Sequence, residues 1–247
     1  MPTETAPRFP STLAPPAYYN GLEDRLRQTL LPVLDPYLSD PSRSPLRILE
    51  LASGTGSHAI LFTKTYSIQQ IAEIQPTECD QYGVGKIQQT VDEAYPAAGV
   101  EEAPTSRVRI LRARKLDVMD DKDWAALADA GEQSPYHLVF GSNFLHMIPF
   151  PEGPQRIFAS LSQLDLVSPS ARLIFYGPFR PSSTAFFSAS DEKFDAEIAA
   201  RPHDAPYTLG LRPLDELVRI AEGQGWTSEA RHEVPANGNW VLVFRRS

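Results

Sequence analysis

Cysteine is nearly absent from this chain: Cys79 alone among 247 residues leaves no intramolecular disulfide to form and no Cys pair to hold zinc. No partner base stands near it in sequence, so Cys79 reads as a packed or exposed thiol rather than a nucleophile. His137, His203 and His232 are widely separated and fit no metal-ligand spacing, and no H-E-x-x-H occurs, so no metal is expected. Basic clusters are missing too. Acidic residues outnumber basic ones 31 to 23, for a net charge of −8, which argues against nucleic acid as the main partner. No apolar run approaches a membrane span, and Pro and polar residues break up MPTETAPRFPSTLAPPAYY where a signal peptide needs an apolar core. None of the four asparagines begins N-x-[ST], and no G-x-S-x-G elbow supports a hydrolase. These absences point to a soluble, cytoplasmic protein with a small-molecule partner, no membrane and no nucleic acid. They leave a homodimer open.

What the chain does contain is concentrated in residues 48–59, ILELASGTGSHA. A short apolar run reaches Glu50, a glycine turn follows through Gly54 and Gly56, and Ser57 can cap a helix. Gly54 to Ala59 formally satisfies the G-x-G-x-x-G/A dinucleotide pattern. A carboxylate just before such a turn, however, repels a pyrophosphate seated at the helix N-terminus. S-adenosylmethionine carries an amino group and a sulfonium instead, so Glu50 fits its methionyl end or braces the turn. The motif therefore favours S-adenosylmethionine over NAD as cofactor.

Hydrophobic pattern and breakers predict a Pro-rich arm over 1–17 and an amphipathic helix from Gly21 to Leu38 interrupted by Pro32 and Pro36. Together, residues 1–40 form an N-terminal arm and helix expected to fold over the cofactor end of the sheet. Strands follow at Leu46–Leu51, Gln69–Ile74, Val108–Leu116, Tyr136–Ser142 and Ala171–Tyr176. Helices lie between them at Ser57–Tyr66, Cys79–Ala94, Lys122–Ala130 and Pro151–Leu164. A long insertion, 178–212, holds a helix at Glu192–Ala200 and is read as substrate-side. A helix at Pro213–Gln224 precedes two strands, Thr227–Val234 and Asn239–Arg245, whose short link forces antiparallel pairing. The expected fold is a single α/β domain over 1–247, a class I methyltransferase Rossmann-like three-layer sandwich. Its seven-stranded sheet is mostly parallel with a C-terminal antiparallel hairpin. Tyr82-Gly83-Val84-Gly85-Lys86 matches Y-x-x-x-K by position only, and it lacks the spacing of a P-loop.

Ligands of open α/β sheets bind beyond the carboxyl ends of the strands. Glu78, 22 residues after Gly56, is placed to accept hydrogen bonds from ribose hydroxyls, with Glu73 as the competitor at 17 residues. Asp117 follows the third strand and suits an adenine amino group; Asn143 follows the fourth and offers both donor and acceptor. Each alone could equally be a capping or loop residue. Their joint placement at successive strand ends favours a site.

At these residues the chain resembles the methyltransferase-like 26 family of predicted S-adenosylmethionine-dependent enzymes, as a divergent member, from about Ala17 to Arg245. The family's A-E-R-N appears as Ala17-Tyr18-Tyr19-Asn20, and E-x-A-S-G-T-G-x-H as Glu50 through His58. W-Q-P-S-D appears as Ile74 to Glu78, L-D-V as Leu116 to Val118, N-x-x-H-x-x-P-W as Asn143 to Phe150, and Y-G-P-F/Y as Tyr176 to Phe179. S-N-x-x-F-D is reflected in Ser190 to Asp195, G-I-R-D-L in Gly210 to Leu214, and M-P-A-N-N in Val234 to Gly238. The resemblance implies the fold and a cofactor site of Glu50, Ala52, Gly54, Gly56, Glu78, Asp117 and Asn143. Tyr18 and Tyr19 replace the Glu-Arg pair, Ile74 replaces Trp, Asp191 replaces Asn and Gly238 replaces Asn. These departures are expected to reshape pocket walls for a specialised substrate.

Methyl transfer needs alignment and, for an oxygen acid, a base. His146, beyond the fourth strand, is the first candidate and His58, one turn into the cofactor helix, the second. Tyr19, Asn20, Tyr176, Phe179, Arg180, Asn237 and Trp240 are the candidate substrate contacts. The expected activity is methyl transfer from S-adenosylmethionine to a small molecule, at an oxygen of an aromatic or polyketide-like biosynthetic intermediate. The alternative is a non-methylating cyclase, isomerase or eliminating enzyme on the same fold, with the cofactor structural or absent.

Overall fold

Leu46–Leu51 (β1) is a run of apolar residues bounded by a turn and a glycine loop, and it occupies the middle of the sheet. A computed structural model describes residues 20–43, 45–95, 107–129, 135–200, 207–234 and 238–247. The Pro-rich arm, Tyr19 and Asn237 lie outside the described residues. β1 pairs in parallel with Ile71–Glu78 (β2) on one side and Tyr136–Ser142 (β5) on the other. The order is β3-β2-β1-β5-β6-β10-β9, where Val167–Gly177 (β6) is parallel to β5, and Trp226–Val234 (β9) and Asn239–Arg246 (β10) close the sheet in antiparallel pairing. The far edge position is shared by two fragments, Arg109–Ile110 (β3) and Arg114–Lys115 (β4), which pair in turn with β2. The sheet thus has the seven positions expected, with one of them broken.

That break accompanies a proline. β2 runs four residues past the expected end at Ile74 because Pro76, which has no N–H, faces the gap between β3 and β4. Gln75 supplies the missing donor: its Nε2 reaches the Arg112 carbonyl at 2.9 Å. Glu78 consequently ends the strand rather than following it in a loop.

Two helical layers sandwich the sheet. Leu22–Thr29 (α1), Leu31–Leu38 (α2) and Ser57–Thr65 (α3) bury Leu22, Leu26, Leu30, Leu34, Leu38, Leu61 and Phe62 against Ile48, Ile74, Phe140, Ile174 and Val241. Burying each such side chain is worth roughly 1.5–3 kcal/mol. The expected single N-terminal helix is two, divided at Leu30, and Pro32 sits in the first turn of α2 where no N–H is needed. The pair does not fold over the cofactor end. Glu23 of α1 pairs with Lys64 and Arg27 bonds Thr65, in the last turn of α3, opposite the glycine turn. On the other face, Asp121–Asp129 (α5), Glu152–Gln163 (α6) and Leu214–Gly223 (α8) cover a second core that includes Trp124, Phe158, Phe175, Leu217 and Trp226. Both tryptophan N–H groups are satisfied, Trp124 Nε1 by the Val118 carbonyl at 3.0 Å and Trp226 Nε1 by Ser162 Oγ at 2.9 Å. Gln81–Ala94 (α4) packs beside α3 and β2. Within 178–212 the structure forms Ala189–Ala199 (α7) and a two-residue parallel pairing of Phe179–Arg180 (β7) with Arg212–Pro213 (β8). No helix among the described residues is long and apolar enough to cross a membrane.

Candidate functional site

The turn after β1 is set by three left-handed residues, Ala52 (φ 50°), Gly54 (φ 61°) and Gly56 (φ 77°). It is fastened to the end of β2 on both sides. Ser53 N–H donates to the Thr77 carbonyl at 2.8 Å, Thr77 Oγ1 donates to the Glu50 carbonyl at 2.8 Å, and the Gly54 N–H donates to Glu78 Oε2 at 2.9 Å. The other Glu78 oxygen accepts from Cys79 N–H at 3.0 Å. One carboxylate therefore ties the glycine turn to the strand next to it.

The start of α4 is pressed onto this pair. Asp80 caps the helix by accepting from Gly83 N–H at 2.7 Å. A Cβ on Gly83 would lie 2.0 Å from Glu78 Cγ, so only glycine lets the helix pass over that side chain. The Gly83 in the sequence string resembling Y-x-x-x-K has this steric role. Gly56 faces Ile87 less tightly, its Cβ position lying 3.1 Å from Ile87 Cγ2.

Glu50 is buried at 2% exposure and its Oε1 meets His58 Nδ1 at 3.0 Å. The His58 ring sits edge-on to Phe140, 5.2 Å between centroids. Glu50 Oε2 and His58 Nε2 are both buried without a hydrogen-bond partner. An unmet buried carboxylate oxygen costs on the order of 1–3 kcal/mol, so this pair is poised to receive a donor. The surroundings are negative as well. Burial raises the Glu78 carboxyl pKa, and burial together with Glu78, Asp80 and Asp117 pushes the Cys79 thiol far up. Glu73, the rival to Glu78, lies five residues earlier in β2 and is taken up by ion pairs with Arg47 and Arg109. It is removed from the site.

Asp117 stands two residues past β4, its Oδ1 accepting from Met119 N–H at 2.9 Å and its own N–H donating to Asp123 Oδ2 at 2.8 Å. Asn143 (φ 54°) closes β5, its N–H donating to the Tyr176 carbonyl at 2.7 Å. The strand order reverses between β1 and β5, so the glycine turn and Asn143 flank the switch point where open α/β sheets take ligands. Just beyond, His146 is buried on a 3-10 turn, Leu145–Met147, with its ring 6.1 Å from Phe194 of α7.

Arg212 was not singled out from the sequence, yet it joins this turn to the insertion. Its guanidinium donates to the carbonyls of Leu145 (2.9 Å), Thr208 (3.2 Å), His146 and Ile148. Burial pulls its pKa down to about 10, with the like charge of Arg180 acting in the same direction. The only hint was its place in the Gly210-Leu211-Arg212 string. Three of the expected substrate contacts are placed as well. Phe179 is buried at 2% in the core beneath the sheet. Tyr176 is likewise buried, its hydroxyl accepting from Asn239 Nδ2 at 3.1 Å. Asn20 is exposed before α1, its carbonyl taken by Arg25. Of the substituted motif positions, Ile74 is fully buried in the sheet, and Asp191 bonds Ser188 at the start of α7. Trp240 stacks on Phe187 at 4.6 Å and 26°. Among the described residues no three His, Cys, Asp or Glu side chains are grouped to hold a metal.

A family model described as "Protein of unknown function (DUF938)" matches residues 18–246. The chain belongs to the DUF938 family. Solved structures share the fold of this DUF938 chain at low identity. One is an O-methyltransferase family protein from Burkholderia thailandensis, with 14% identity and a TM-score of 0.56 over 94% of this chain and 61% of that one. A second is magnesium protoporphyrin IX methyltransferase from Synechocystis PCC 6803 with bound SAH, with 17% identity and a TM-score of 0.56 over 92% and 84%. A third is human N-acetylserotonin methyltransferase in complex with SAM, with 10% identity and a TM-score of 0.58 over 92% and 54%. The DUF938 chain thus spans about three fifths of the Burkholderia protein and about half of the human one. Its sheet, with antiparallel C-terminal strands, has the class I methyltransferase fold.

Proposed function

We propose that this DUF938 chain binds S-adenosylmethionine at the switch point and is a methyltransferase of the methyltransferase-like 26 kind, acting on an oxygen of a small biosynthetic molecule. The observation that carries the reading is the buried Glu50–His58 pair beneath the glycine turn, with Glu50 Oε2 still lacking a donor. A pyrophosphate would meet repulsion from Glu50, Glu78, Asp80 and Asp117; an ammonium and a sulfonium meet attraction. That two of the solved neighbours carry SAH or SAM supports the choice.

When bound, S-adenosylmethionine supplies an electrophilic methyl group. The chain's own residues do the rest. Glu50 Oε2 accepts from the methionyl amino group, and His58 fixes the Glu50 carboxylate through Oε1. Both Glu78 oxygens already accept from backbone N–H groups, and each retains a second lone pair for a ribose hydroxyl. Asp117 accepts from the adenine amino group and Asn143 lines the cleft. The His146 imidazole, held on its turn by Arg212, takes the acceptor's hydroxyl proton. The acceptor lies against the 178–212 insertion, and the protein works in the cytoplasm.

Incubation with S-adenosylmethionine and a library of phenolic and polyketide-like acceptors, read by product mass, tests the reading. A gain of one methylene unit, lost in His146→Ala, supports it. Isomerised or dehydrated products without methylation would replace it with a non-methylating enzyme.

A further inference from the structure

Arg180 places a guanidinium at the start of the 178–212 insertion. Among the described residues no carboxylate pairs with it, and its Nε is buried without a hydrogen-bond partner. Asp215, whose N–H donates to the Pro181 carbonyl, pairs with Arg219 at 3.6 Å, and Asp195 Oδ1 accepts from Leu211 N–H at 2.6 Å. Instead a second cation, Arg212, stands close enough to act on it. Arg212 Nε and Nη2 already donate to backbone carbonyls, so its fork is partly occupied. A half-buried charge with a like charge beside it and no ion-pair partner among the described residues is stabilised by an incoming anion.

Aromatic rings frame the same place. The Arg180 guanidinium lies over Phe186, 5.6 Å from the ring centre. The next residue, Phe187, is exposed at 42% and stacks on Trp240. Trp240 pairs with Gly177, three residues before Arg180, so the stack and the cation flank one turn after β6. Arg212 links that turn to the His146 loop.

We infer that Arg180 recognises a carboxylate on an aromatic acceptor whose ring lies against the Phe187–Trp240 stack. The inference rests on the methyltransferase reading for the word acceptor, but not for the binding itself. The planar guanidinium fork matches a carboxylate in bidentate fashion.

The test uses the full chain with S-adenosylhomocysteine and a matched panel: benzoate, salicylate, anthranilate and indole-3-acetate against their four amides. Thermal midpoint and tryptophan emission are read together, since Trp124 and Trp226 are buried and Trp240 is half-exposed; Trp240→Phe identifies its share. At least one carboxylate is expected to raise the midpoint and change Trp240 emission while its amide does not. Arg180→Gln should weaken that binding about 10- to 100-fold, with partial recovery in Arg180→Lys. Equal binding of acid and amide, equal binding by wild type and Arg180→Gln, or no carboxylate bound by wild type overturns the assignment. S-adenosylhomocysteine titrated into Arg180→Gln separates the two readings: unchanged affinity leaves the cofactor site standing whatever becomes of Arg180.

Discussion

His58 Nδ1 lies 3.0 Å from Glu50 Oε1, joining the first turn of a helix to the end of a strand across a glycine loop. Each partner leaves one polar atom buried and unmatched. Glu50→Gln keeps the shape but removes the charge that attracts an ammonium. Its affinity for S-adenosylmethionine should fall about 10- to 100-fold, the worth of a hydrogen bond to a charged group. Calorimetry comparing the two proteins checks this, and equal affinity would take Glu50 out of the cofactor site.

Gly83 bears on the same site through sterics. A methyl group there would meet Glu78 Cγ at 2.0 Å, so Gly83→Ala must move Glu78 or lift the first turn of α4. Stability should drop by about 1–3 kcal/mol, seen as a lower urea midpoint, with weaker cofactor binding. The neighbouring Gly85→Ala, which meets nothing within 4 Å, is the control and should gain or lose little. A Gly83→Ala midpoint matching the control would show that the contact is relaxed at no cost.

The Glu73 ion pairs predict a pH window. Burial alone would raise the Glu73 carboxyl, but Arg109 and Arg47 more than reverse this and hold it below its ordinary value. A folded pKa below the unfolded one means stability that is present above about pH 4.3 and lost as pH falls through the lowered value. Wild type should exceed Glu73→Gln by about 2–3 kcal/mol at neutral pH. The gap should close on acidification, as followed by denaturation at stepped pH. A constant gap would mean that packing, not charge, distinguishes the two.

Arg212 is a positioning residue for the His146 turn. Lysine keeps the charge but cannot span the carbonyls of Leu145, Ile148 and Thr208 with one ammonium. Hydrogen exchange in residues 144–150 of Arg212→Lys should accelerate while β1 and β5 keep their protection. Unchanged exchange would show that the turn holds itself.

The central strands were legible because their apolar runs end abruptly: Leu46–Leu51 and Tyr136–Ser142 have the expected bounds. β2 was cut short at Ile74 because proline normally ends a strand, and nothing in the sequence reveals that Gln75 lends its amide to the Arg112 carbonyl. The same error left Glu73 in competition with Glu78. Glu50 and His58 could each be named as candidates from the glycine motif, but their pairing depends on the path of the turn. That Phe179 and Tyr176 are buried was not legible, because a strand end next to a cleft exposes one face and buries the other, and their sequence gives no face. Arg180 was legible as a cation, while which described residues pair with it depends on how the insertion packs.

The most direct test of the account is calorimetric titration of the purified chain with S-adenosylmethionine and S-adenosylhomocysteine, with NADH as control. Saturable binding of the first two and none of NADH is expected, with both affinities weakened in Glu50→Gln. Binding of NADH alone, or of none of the three, would contradict it.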